Sequence, residues 1–118
     1  MTTMRTVFTL AGGLFGAAGV ALSAAAAHAG GGNVATAASF LLAHAPALLA
    51  IGLFGRGRVL AIGGAILLVG VLLFAGDLLI RHYVGTRLFP MAAPLGGTSM
   101  ILGWLVLAAS AVTLREKS

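Results

Sequence analysis

Cysteine is absent from the 118 residues. Disulfides, thiolate metal sites and cysteine nucleophiles are therefore excluded. Acid is nearly absent as well, with Asp77 in an apolar stretch and Glu116 in the polar tail. Charged residues make up 8% of the chain and hydrophobic residues 60%, with a mean hydropathy of +1.13. A soluble domain this small has much surface for its volume and needs a polar exterior. Charges this scarce cannot provide one, so the exterior must face lipid. The reading is a single integral membrane domain over residues 1–118. The net charge of +5 raises the question of nucleic acid. The basic residues flank apolar runs, as topology signals do, and isolated arginines without interleaved aromatics make no nucleic-acid surface.

What is present in quantity is long apolar sequence. Four runs are long enough to cross a bilayer core as helices at about 1.5 Å per residue. They cover approximately 7–27, 34–54, 59–80 and 94–114. The first precedes Ala27-His28-Ala29, which has the form of a signal cleavage site, but the run exceeds a signal h-region and reads as a span. A turn at His28–Asn33 separates runs one and two. Pro46 interrupts the second run and predicts a kink, because it cannot donate to the carbonyl of Leu42. Gly55–Arg58 is a tight basic turn. The longest connection follows Arg81, and Pro94 suits the first turn of a last helix. Trp104 lies inside the fourth run rather than at its border and reads as a packed indole.

Small residues form stripes on these runs. Gly12, Gly16 and Gly19 continue to Ser23 and Ala26 along one face, with Gly12 and Gly16 as G-x-x-x-G, a pattern that lets backbones approach closely in lipid. Gly63 and Gly70 lie seven apart and lead to Asp77, while Gly96 and Gly103 lead to Ser110. Three such stripes leave surface for another protein or another copy of the chain.

The candidate polar residues are few. An acid within a membrane segment is a functional-site hypothesis by default, so Asp77 comes first, with Arg81 one turn on as its natural partner. Such a pair would fix the end of the third helix. His44 falls near mid-membrane and is expected to bond a neighbouring helix or the carbonyl freed by Pro46. His28 closes the first helix, too far from His44 to share a metal, and the i, i+4 ligand pair is missing. No glycine-rich phosphate cradle or serine–histidine–carboxylate pattern occurs. No cofactor, metal or catalytic residue is expected, and the chain is read as non-enzymatic.

Topology follows from counting Lys and Arg. Arg5, Arg56, Arg58, Arg115 and Lys117 fall on one side, Arg81 and Arg87 on the other. The bias predicts both termini in the cytoplasm.

Several stretches together resemble a known family. They are Gly16-Ala17-Ala18-Gly19-Val20 with Ala24 to His28, then Ala35 to Leu49, then Leu72 to Leu79, then Pro94-Leu95-Gly96-Gly97 with Leu102-Gly103-Trp104. The pattern is similar to the domain-of-unknown-function family 423, related to the eukaryotic transmembrane protein 256 group. The resemblance implies a small four-helix protein of the bacterial inner membrane and no established activity. The family's third helix often has serine where this chain has Asp77, so no role for that acid is carried over.

The expectation is an all-α membrane protein, four transmembrane helices in a compact bundle with short loops. Its expected partners are membrane lipid and another membrane protein or itself, as a packing or accessory subunit. The alternative is a small proton-coupled transporter using Asp77.

Overall fold

The computed structural model describes residues 2–117, with side chains from 3 to 113. Four helices follow one another: α1 (Thr2–Ala29), α2 (Gly32–Phe54), α3 (Arg58–Tyr83) and α4 (Ala92–Lys117). Each is long and apolar enough to cross a membrane. α1 starts five residues ahead of the first apolar run, and α4 continues through the tail that composition alone reads as solvated. The side chains of Arg115, Glu116 and Lys117 lie outside the described residues.

Glycine makes the tight turns. Gly30 and Gly31 alone separate α1 from α2, at φ +79° and +108°, a region that L side chains rarely enter. Gly55, Arg56 and Gly57 separate α2 from α3. α2 runs unbroken through Pro46. Pro94 is the third residue of α4, where a missing N–H is no loss.

Successive helices pack antiparallel as two hairpins, α1 with α2 and α3 with α4, joined along α2 and α3. Among the described residues no Cα of α1 comes within 8 Å of one in α4, so the two hairpins meet chiefly through α2 and α3. The bundle measures 50 × 27 × 21 Å. Phe8, Leu48, Leu67 and Val71 are the large side chains at its centre, each at most 2% exposed.

Lipid tails are as apolar as leucine, so hydrophobicity does not draw these helices together; close packing and polar links do. The glycines show how. A Cβ on Gly12 would stand 2.8 Å from the amide nitrogen of Leu49 and 2.9 Å from the carbonyl oxygen of Ala45. One on Gly19 would strike Leu42, and one on Gly52 would strike Thr9. In the other hairpin, Gly70 meets the backbone of Gly96 and Met100, Gly96 meets that of Phe74, Gly63 meets Leu107 and Gly103 meets Leu67. Gly16 is the exception: its Cβ would be in ordinary contact, 3.8 Å from Ala45. Apart from Gly16, the named glycines close the chain's own hairpins, so they supply no surface for a partner.

Candidate functional site

The polar side chains gather at three levels. At the first, near the end of α3, Asp77 is fully buried. Arg81 lies one turn later on the same face, its Nη2 2.7 Å from Asp77 Oδ2. This approach is an ion pair rather than a well-angled hydrogen bond, and the buried Arg81 Nε has no hydrogen-bond partner among the described residues. The other carboxylate oxygen does something that spacing did not indicate. Asp77 Oδ1 accepts the backbone N–H of Leu88 at 2.8 Å. The acid therefore holds both its own helix end and the connection to α4.

The second level is near the middle of α2. His44 on α2 donates nothing to the carbonyl freed by Pro46. Its Nδ1 lies 2.8 Å from the Phe40 carbonyl oxygen, which only accepts. The Trp104 indole N–H, which only donates, meets His44 Nε2 at 3.0 Å. The two partners together define the neutral tautomer with its proton on Nδ1. An imidazolium would set two N–H groups against each other. The bridge spans helices whose backbones stay apart: no Cα of α2 comes within 8 Å of one in α4 among the described residues. Phe40 and Phe74 complete the cluster, with ring centroids 4.7 Å apart. Trp104 is 44% exposed, so its polar edge is packed inward while its ring remains at the surface.

At the third level Arg5 reaches from α1 over the end of α2. Its Nε donates to the Gly52 carbonyl at 3.1 Å and its Nη2 to that of Leu53. The last carbonyls of a helix lack internal partners, and a cation there also suits the helix dipole. Arg5 is thus a cap on the end of α2. Ser99 adds a tie between α4 and α3, its hydroxyl donating to the Ile66 carbonyl at 2.9 Å.

Sequence reasoning paired Asp77 with Arg81 and missed Leu88, Trp104 and Arg5 as partners. A signal existed for one of them. A buried indole N–H needs an acceptor, and His44, near the middle of α2, can supply one. His28 is exposed at the end of α1. His82, not singled out earlier, packs on Gly31, where a Cβ would lie 2.7 Å from its ring. No group of three or more His, Cys, Asp or Glu that could hold a metal occurs among the described residues. Opposite the Trp104 bridge, α1 and α3 enclose a groove of about 310 Å³ lined by Leu14, Phe15, Leu41, Val71, Leu72 and Leu79 among others. Its lining offers dispersion contacts and no acid–base group.

Four apolar helices, with polar side chains that tie them to one another, define a small multi-pass membrane protein of the all-α class. The chain belongs to the family described as protein of unknown function, DUF423, whose model matches residues 12–97. The match takes in the first three motif stretches and ends at Gly97, before Gly103 and Trp104. No curated protein and no solved structure matches the chain.

Proposed function

We propose that this chain is a non-enzymatic packing or accessory component of the bacterial inner membrane, with both termini cytoplasmic. It docks a second membrane protein, or a second copy of itself, along the outward face of α1. The observation that carries this is a small-residue stripe distinct from the one that closes the hairpin. Gly13, Ala17, Ala21 and Ala24 are all exposed, and a Cβ on Gly13 would meet nothing within 4 Å. Their spacing of four, four and three keeps them on one helix face. In lipid such a face favours a close helix neighbour.

The transporter reading is less well supported. It needs Asp77 to exchange protons or contact a solute, yet one oxygen is held by Leu88 and the other by Arg81.

The cysteine-free chain makes the test direct. Ala17→Cys, with a bifunctional thiol reagent in native membranes, should crosslink to one species, while Leu102→Cys on α4 should not. Extraction into polymer nanodiscs should then recover the same species in fixed stoichiometry. A chain that stays alone in both experiments would overturn the proposal. Proteoliposome uptake abolished by Asp77→Asn would replace it with the transporter.

A further inference from the structure

The connection between α3 and α4 does not simply project into water. Along the second hairpin Gly63 faces Leu107, Leu67 faces Gly103 and Phe74 faces Gly96. Each step forward in α3 is thus one step back in α4. Carried on, this register puts Ala92, the first residue of α4, level with Leu78. Five residues of α3, Leu79 to Tyr83, continue past that level, about 7 Å at 1.5 Å per residue. The chain leaves α3 at the higher level and must come back down before α4 begins.

The hydrogen bond from Leu88 to Asp77 gives the same geometry independently. Asp77 lies six residues before the end of α3, about 9 Å along the axis, and its Cβ tilts toward the start of the helix. The Leu88 N–H is 2.8 Å from its carboxylate. The segment 88–91 therefore runs beside the last turns of α3, within the length of a spanning helix.

Irregular backbone is tolerated at membrane depth only where its polar groups find partners. Here some do: the Leu88 N–H has Asp77, Pro90 has no N–H, the Phe89 carbonyl accepts from Ala92 and the Met91 carbonyl accepts from Leu95. The N–H groups of Phe89 and Met91 and the carbonyls of Leu88 and Pro90 have no protein partner among the described residues, which suits backbone at headgroup level, where water supplies the partners. Met91 holds φ +73°, a conformation that persists in a bulky residue only when its surroundings impose it. The side chains have no such cover. Leu88, Phe89 and Met91 are 42%, 39% and 57% exposed. Beside them Arg87 is exposed, and Asp77, the acidic side chain among the described residues, is buried against Arg81.

We propose that Arg87–Met91 is a lipid-docking segment. Leu88, Phe89 and Met91 sit among acyl chains just below the headgroups of the adjacent leaflet, and Arg87 meets lipid phosphate. Depth, the anchoring of Leu88 on Asp77, apolar side chains and a cation unmatched among the described residues all fit a lipid surface. Asp77 is then the buried acceptor that lets non-helical chain return to that depth.

Nitroxide labels on single cysteines test this in the full chain, reconstituted in vesicles of phosphatidylcholine and phosphatidylglycerol. Labels at Leu88→Cys and Phe89→Cys replace exposed side chains whose bonds are to the backbone, so the fold is kept. Thr86→Cys at the crest of the connection is the aqueous reference. The ratio of collision with oxygen to collision with a water-soluble nickel chelate should be several-fold higher at 88 and 89 than at 86. Nickel reaching 88 and 89 as freely as 86 would overturn the proposal. So would labels reached by neither reagent, since the segment would then be covered by protein. These readouts are independent of crosslinking on α1, so either proposal can fail without the other.

Discussion

Substitutions at Asp77 separate its two tasks. Asp77→Ala removes both: the Leu88 N–H loses its acceptor and Arg81 loses its counter-charge. Leaving a buried donor unsatisfied costs about 1–3 kcal/mol. Breaking a fully buried pair costs roughly 3–5 kcal/mol, whereas an exposed pair contributes about 0–1 kcal/mol. The Arg81 side chain is 29% exposed, so a value between these limits applies, roughly 1–3 kcal/mol. Asp77→Ala should therefore destabilise by about 2–6 kcal/mol. Asp77→Asn keeps an oxygen for Leu88 and loses the charge, so its cost should be the ion-pair part alone.

The assay is equilibrium unfolding of the reconstituted protein at neutral pH, with Arg81→Met completing a cycle. Arg81→Met alone leaves a buried carboxylate without its cation. Adding Asp77→Asn removes that charge, so the double variant should be more stable than Arg81→Met. Refutation is specific to each task. Asparagine as harmful as alanine would show that Leu88 gains nothing from the acceptor. Asparagine without effect would show that the ion pair contributes nothing, and a double variant no better than Arg81→Met would say the same.

Other substitutions test the remaining ties. In α1, Gly12→Ala forces a Cβ to within 2.8 Å of the Leu49 amide nitrogen and should destabilise by about 1–3 kcal/mol, while Gly13→Ala, in open space, should be neutral or stabilising by up to about 1 kcal/mol; unfolding curves of the two decide it. Trp104→Phe leaves the His44 Nε2 unpaired and His44→Phe leaves the indole N–H unpaired, each costing about 1–3 kcal/mol, with the double variant costing less than their sum. Arg5→Lys gives up the two-pronged cap on Gly52 and Leu53 and should cost about 0.5–1.5 kcal/mol, read as faster amide exchange in the last turn of α2.

How much of this was legible can be judged residue by residue. The four spans follow from hydropathy, because lipid demands uninterrupted apolar helix. Their ends do not, because helix boundaries here depend on bonds hydropathy does not see. Thr2 to Thr6 is polar yet helical, and Arg5 is tied to the end of α2. The face that Gly63 and Gly70 share follows from their spacing, since periodicity fixes a face. It does not fix the neighbour, which is α4. Gly12 and Gly16 look equivalent in G-x-x-x-G, but Gly12 is pressed on Leu49 and Gly16 is not, because helix crossing sets the point of closest approach. Arg81 was readable from Asp77 because both lie on one helix, an i, i+4 pair. Trp104 lies sixty residues from His44, so no local rule joins them, and only the need of an indole N–H for an acceptor pointed to the pair.

The placement of the polar groups explains why so few suffice. Within each hairpin the backbones touch through glycine, and a side-chain tie is added: Arg5 in the first and Ser99 in the second. Between the hairpins the contact is looser, and there the chain places His44 with Trp104, the link between helices whose backbones do not meet. Asp77 stands where regular backbone ends and an irregular segment needs an acceptor. His44, Trp104 and Asp77 thus lie where close packing fails, while Arg5 and Ser99 reinforce helices that already touch. The sensitive positions follow from this. Exposed Ile101 and Leu105 on α4 face lipid whether the helices are packed or separated, so shortening them changes little. Removing one nitrogen from His44 uncouples two helices.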